Sequence, residues 1–189
     1  MKELLNRREF LTGNLKSALG LFGQMIIPTI DQERTFIRPP GAQDEIVFLT
    51  SCTRCGICRD VCPVTTIQLF NIESGAKLAG TPFLNPNEIA CTYCNECSKH
   101  CPTDALEVPE NGMVPPIGIA KVMKKNCIAY QDVMCDYCIR ACPISGALTL
   151  ENGKPKVDSD FCNGCGQCVT SCIQHDTKGL YVKALSSLS

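Results

Sequence analysis

From residue 37 onward, short alternating apolar pairs recur along the chain: Ile67 and Leu69, Leu106 and Val108, Leu148 and Leu150, Leu180 and Val182. Alternation over so few residues predicts short, half-buried strands. Turn signals follow the first three pairs, at Ser74-Gly75, Asn111-Gly112 and Asn152-Gly153. Asn-Gly between short strands predicts a hairpin, because both turn positions take positive φ. Each pair lies just downstream of a cysteine-rich stretch, and those stretches open 39, 36 and 35 residues apart. The chain therefore reads as four copies of one half-unit: a loop, a short helical turn and half a hairpin. That pattern predicts an α+β fold of small tandem units.

The first 36 residues follow a different pattern. They contain no cysteine, and Asn6-Arg7-Arg8-Glu9-Phe10-Leu11 precedes a mildly apolar stretch over 18–30. This resembles a twin-arginine export signal, a route that carries folded, cofactor-loaded proteins. Gln24 and Pro28 interrupt the stretch, which is too short and broken to span a membrane. No small-x-small cleavage site is evident, so an uncleaved or vestigial segment is one reading. An amphipathic helix on a cytoplasmic protein is the other.

Composition changes the picture of what holds the repeats together. The 189 residues include no Trp and only 6% aromatics, but 16 Cys. Small units that bury too little surface are stapled by disulfides or metals. Disulfide frameworks predict irregular spacing, whereas here every cysteine falls in a compact run, which points to metal ligation. His100 and His175 are the only histidines, so the ligand set is thiolate and selects zinc or iron–sulfur. The formal charge of −1 comes with no basic block, so neither a nucleic-acid face nor a polybasic membrane patch is visible.

The runs decide between the metals. Cys52, Cys55, Cys58 and Cys62 stand in a C-x2-C-x2-C-x3-C-P pattern, repeated by Cys91, Cys94, Cys97 and Cys101, and again, without the proline, by Cys162, Cys165, Cys168 and Cys172. This is the bacterial ferredoxin pattern, in which three thiolates wrap one [4Fe–4S] cube and the fourth ligates the neighbouring one. Zinc ribbons also use four thiolates, but not usually this triple spacing. In the third run Cys127 stands early, before Cys135, Cys138 and Cys142, and a longer loop still delivers its thiolate at little extra closure cost. Pro63, Pro102 and Pro143 turn the chain away after the fourth cysteine, while Ile173 takes that place after Cys172. Gly56 and Gly166 follow the second cysteine of their runs, where a missing side chain lets a backbone N–H approach sulfur.

Four clusters account for all sixteen thiols. Sequential pairing of the runs groups Cys52/Cys55/Cys58/Cys101, Cys91/Cys94/Cys97/Cys62, Cys127/Cys135/Cys138/Cys172 and Cys162/Cys165/Cys168/Cys142. A nested arrangement, run one with four and two with three, satisfies the same count. Sequential pairing places one 2[4Fe–4S] unit over 37–115 and a second over 116–189, after the 1–36 segment. Four oxidised clusters would carry the protein to about −9, which suits partners with basic docking patches. His100 and His175 read as exposed loop residues, with a pH-sensitive role beside a cluster as the alternative. Tyr93, Tyr137 and Phe161 flank ligands and are expected to shield them from water. No paired carboxylates, nucleophile motif or nucleotide loop is present, so the protein reads as a carrier with no catalytic residues.

The segments Arg38-Pro39-Pro40-Gly41-Ala42, Phe48-Leu49, Cys52-Thr53-Arg54-Cys55-Gly56 and Gly80-Thr81-Pro82-Phe83 resemble the NapG/MauM ferredoxin-type proteins of periplasmic nitrate reduction and methylamine utilisation. The Cys94 to Cys97 spacing and Cys127-Ile128-Ala129-Tyr130-Gln131 are more similar to the related NapF proteins. The resemblance implies a four-cluster carrier passing electrons between a quinol-linked membrane partner and a periplasmic reductase. Alternatively, it implies an accessory factor in maturation of a molybdenum enzyme, or an electron-transfer subunit of a larger oxidoreductase. NapG-like proteins are exported and NapF-like ones act in the cytoplasm, and the apolar stretch after Arg8 sides with export.

Overall fold

A computed structural model describes residues 35–108 and 112–185. Helix α1 (Glu45–Ser51) buries Phe48 and places Glu45 in its first turn; it ends where the Cys52 N–H bonds to the Phe48 carbonyl and the chain turns extended. Four further helices are single turns: α2 (Ile57–Asp60), α3 (Glu96–Lys99), α4 (Tyr137–Ala141) and α5 (Gln167–Thr170). Helices this short have no stability of their own. Each instead carries one buried cysteine, Cys58, Cys97, Cys138 or Cys168, and α2 packs on α3 as α4 packs on α5.

Among the described residues the strands form three two-stranded antiparallel sheets, so the α+β class holds. Strands β4 (Leu148–Glu151) and β5 (Lys154–Val157) make the hairpin that Asn152-Gly153 predicts, with both turn residues at positive φ. Strands β1 (Ile67–Leu69) and β2 (Pro82–Leu84) also pair, but across a long connection. Ser74-Gly75 does not close that pair as a tight turn; Ile72–Ser74 coils as a 3-10 turn whose start is capped by Asn71, which accepts from the Ser74 N–H.

The other two expected half-hairpins are built differently. Leu106 forms only an isolated bridge, to Ala42, and no strand follows it over the described residues before Gly118. Asn111 lies outside the described residues. Leu180 and Val182 do lie in a strand, β6 (Leu180–Ala184), but its partner is the earlier β3 (Gly118–Val122), in a five-residue ladder. A periodic pattern shows that a strand exists, not which strand it meets.

The described residues fall in one compact unit. Its core joins Ile37, Phe48, Ile67, Leu84, Leu106, Leu148, Val169, Leu180 and Val182 to the four helix-borne cysteines. Asn87 ties early and late segments together: its side chain donates to the Val182 carbonyl at 3.1 Å and accepts from the Val182 N–H at 2.6 Å. No helix among the described residues is long and apolar enough to cross a membrane. Arg7, Arg8 and the rest of the twin-arginine-like stretch lie outside the described residues.

Candidate metal centres

The cysteine loops share a backbone device. In runs one, two and four the second cysteine stands between two residues of positive φ: Arg54 and Gly56 around Cys55, Tyr93 and Asn95 around Cys94, Gly164 and Gly166 around Cys165. Left-handed residues on both sides fold the loop back on itself, so successive thiols face a common interior. The third run has no such pair around its second cysteine, Cys135, and its lead cysteine, Cys127, opens a 3-10 turn over Ile128–Gln131 instead. Gly166 answers a second need. A Cβ there would meet the Pro86 carbonyl oxygen within 2.1 Å, whereas at Gly56 only ordinary contacts await one.

The loops bring the thiols together in sets drawn from two runs. Cys52, Cys55 and Cys58 line one pocket with Cys101. Cys162, Cys165 and Cys168 line another with Cys142. Cys91 has Cys97, Cys62 and Cys94 as its electrostatic neighbours, and Cys138 has Cys127, Cys135 and Cys172. Third cysteines of neighbouring sets also feel each other, Cys58 with Cys97 and Cys168 with Cys138.

Electrostatics alone would keep these groups neutral. Burial, followed by smaller effects of neighbouring thiols, pushes the Cys58, Cys91 and Cys168 thiols up to about 12 and Cys138 up to about 11, and raises Cys97 and Cys165. Only a strong positive centre inside each set would hold the thiolates there. Backbone donors already face sulfur: N–H groups of Tyr93, Ala120 and Gly179 reach the Sγ atoms of Cys91, Cys162 and Cys172, each at 3.4 Å.

The donor set fits a cluster rather than an ion. All sixteen cysteines are free thiols, and among the described residues no three His, Cys, Asp or Glu converge closely enough to hold one metal ion. A single zinc draws its sulfurs to about 2.3 Å. A cubane spreads its ligands around a larger body.

Residues 51–105 match the 4Fe-4S dicluster domain family. Over 188 residues the chain is 36% identical to the ferredoxin-type protein NapG of Escherichia coli, covering 88% of this chain and 81% of that one. The chain belongs to the NapG/MauM/NapF group of ferredoxin-type proteins. It is also 37% identical to the methylamine utilization ferredoxin-type protein MauM of Methylorubrum extorquens, across 89% of this chain and 84% of its relative. To the ferredoxin-type protein NapF of Escherichia coli it is 34% identical, across 72% and 79%. It is thus an iron–sulfur electron-transfer protein of the 4Fe-4S type, and proteins of this kind work with other redox proteins.

In this ferredoxin-type chain the aromatic neighbours of the cysteines do not act alike. Tyr137 and Phe161, expected to shield, stand 49% and 58% exposed, and Tyr137 lies against the Arg140 guanidinium. Tyr93 does more than shield. Its hydroxyl donates to the Asn163 carbonyl at 2.6 Å and accepts from the Ile117 N–H at 3.0 Å, while the Cys91 N–H bonds to the Cys165 carbonyl at 2.8 Å. Runs two and four are thereby clasped together, a contact that no spacing within either run signals. His100 and His175 are exposed, with His100 Nδ1 3.0 Å from the Glu96 carbonyl of its own turn.

Proposed function

We propose that this protein carries four [4Fe–4S] clusters and passes electrons between a quinol-linked membrane partner and a periplasmic, nitrate-reductase-like oxidoreductase. The ligand sets are Cys52/Cys55/Cys58/Cys101, Cys91/Cys94/Cys97/Cys62, Cys127/Cys135/Cys138/Cys172 and Cys162/Cys165/Cys168/Cys142. The observation that carries this reading is the grouping of thiols: in each set three come from one run and the fourth from its neighbour. The same exchange supports two tandem 2[4Fe–4S] units, 37–115 and 116–189, over a nested arrangement.

When bound, each cluster supplies one reversible one-electron couple. The chain's own residues set the conditions. Buried cysteines on α2, α3, α4 and α5 exclude water from the sulfur shell. The N–H groups of Tyr93, Ala120 and Gly179 stabilise negative charge on sulfur, which favours the reduced state. Exposed Cys55 and Cys94 bring ligand atoms to the surface, where a partner can approach. Arg7-Arg8 and the following apolar stretch support export, and the NapG likeness supports a nitrate-reductase-like acceptor.

Anaerobically purified protein should contain about 16 iron and about 16 sulfide per chain. Zinc in place of iron, or half that iron, would refute the four-cluster reading. Dithionite-reduced protein should then be reoxidised rapidly by an active periplasmic reductase. Binding only to a cofactor-free enzyme would replace the carrier role with that of an accessory factor.

A further inference from the structure

The two halves of the repeat region differ in charge. Residues 37–115 hold five basic against nine acidic residues, while 116–189 hold eight basic against six acidic. Much of the basic excess gathers in one place. An open groove of about 710 Å³ runs between β3 and β5 and is lined by Lys121, Lys124, Lys154 and Lys156. Two carboxylates share it: Glu151, 2.7 Å from the Lys156 ammonium, and the exposed Asp132, 3.9 Å from that of Lys154. Lys124 and Lys154 stand over the Tyr130 ring, at 5.7 and 5.5 Å from its centre. The groove keeps a net positive charge on a protein that is acidic overall, and its volume suits a peptide-sized occupant rather than an ion.

Its floor is shared with a metal centre. Ala120 and Val157 line both this groove and the pocket of Cys142, Cys162, Cys165 and Cys168, and the Ala120 N–H faces the Cys162 sulfur. We propose that the groove between β3 and β5 is the docking site for an acidic segment of a redox partner protein. A partner held there sits one residue layer from the Cys162 ligand set. Charge complementarity speeds and orients such encounters. The inference rests on the electron-carrier reading for its purpose, but not for its test.

The test uses the cluster-loaded full chain under anaerobic conditions and a fluorescein-labelled oligoglutamate peptide, followed by anisotropy. Wild type should bind it, bind oligolysine at the same site weakly or not at all, and lose ~10-fold or more in affinity between about 20 and about 200 mM salt. K121E/K156E should lose ~10-fold or more, whereas K77E/K99E, with the same change in net charge on the other half, should lose less than about 2-fold. Equal losses in both variants would overturn the proposal in favour of net charge alone. So would no binding by wild type, or self-association that K121E/K156E abolishes, which would make a second copy the occupant. If K121E/K156E lacks wild-type iron, K121Q/K156Q takes its place with the same expected ranking. Iron and sulfide content reads the cluster assignment separately, so either claim can fail alone.

Discussion

The 37–115 and 116–185 regions gather their thiols in similar sets but support them in different ways. In the first, only two isolated bridges, Ile37 to Leu84 and Ala42 to Leu106, supplement the short β1–β2 pair, and both cysteine loops carry the paired positive-φ residues. In the second, the five-residue β3–β6 ladder does the closing, and the third run lacks the loop device. The ladder reaches into the candidate sites: Ala120 on β3 and Gly179, just before β6, each aim an N–H at a cysteine sulfur, of Cys162 and Cys172. A stiff strand pair thus stands in for a stiff loop. It is why Cys127 can stand early in its run and Cys172 can lack a following proline without either leaving the Cys138 neighbourhood.

Removing the metal should break the comparison most severely, since thiols form so much of the core in both regions. Chelation should abolish cooperative unfolding, read by circular dichroism during urea titration. Any fold the iron-free chain keeps should weaken as pH rises from 9 toward 12. Cys58, Cys91 and Cys168 ionise near 9 when unfolded and only near 12 when buried, so the unfolded state loses protons first and high pH favours it. Single ligands sharpen the contrast. Cys127→Ala and Cys172→Ala should each cost about four irons and leave the other three sets loaded, measured by iron analysis. Full iron in either variant would show that residue not to be a ligand.

Next in size is the support particular to the first region. Arg38 is buried, paired with Glu45 at 2.6 Å, bonded to the Thr81 hydroxyl and the Pro82 carbonyl, and packed on Phe36 and Phe48. Phe48 and Pro82 also line the Cys52/Cys55/Cys58/Cys101 pocket. Arg38→Ala removes the ion pair with Glu45, the bonds to Thr81 and Pro82 and the packing on Phe36 and Phe48, and should cost about 3–5 kcal/mol, read as a lower urea midpoint. Selective early loss of about four irons should accompany it.

Much of this was legible from the residues alone, and the boundary is physical. Spacing within a run is local, so the thiol loops, the short helices after them and the Asn152-Gly153 hairpin could all be read. Partners far apart along the chain could not. Nothing near Leu180 announces β3, nothing near Cys91 announces Cys165, and Arg54, Tyr93 and Asn95 take a backbone form that sequence would assign to glycine. Tyr93 stands at that boundary, because its hydroxyl clasps run two to run four. Tyr93→Phe leaves the Ile117 N–H and the Asn163 carbonyl without that partner, although the carbonyl keeps the Ile117 side of the clasp through the Ile117 N–H itself. The expected cost is about 1–2 kcal/mol in the urea midpoint of the holo protein. No change would mean that the Cys91 to Cys165 backbone bond holds the two runs together unaided.

The smallest effect tests the two inner strand pairs against each other. Gly153, at φ 76°, closes the two-residue turn of β4–β5, while Gly75, at φ 89° and ψ 154°, sits inside the long β1–β2 connection. Beyond its chain neighbours, neither has an atom within 4 Å of where a Cβ would stand, so Gly→Ala at each reads backbone strain with little packing change. Gly153 is in the left-handed region that other residues visit, and its neighbour Asn152 does so at φ 52°. Gly153→Ala should cost about 1 kcal/mol. Gly75 occupies a region that is essentially glycine's alone, so a rigid connection would make Gly75→Ala cost about 1–3 kcal/mol. Melting of the two variants ranks the strains directly. If Gly75→Ala proves the milder, the β1–β2 connection yields where the β4–β5 turn cannot, and the loops of the first region owe their stiffness to the positive-φ pairs around cysteine alone.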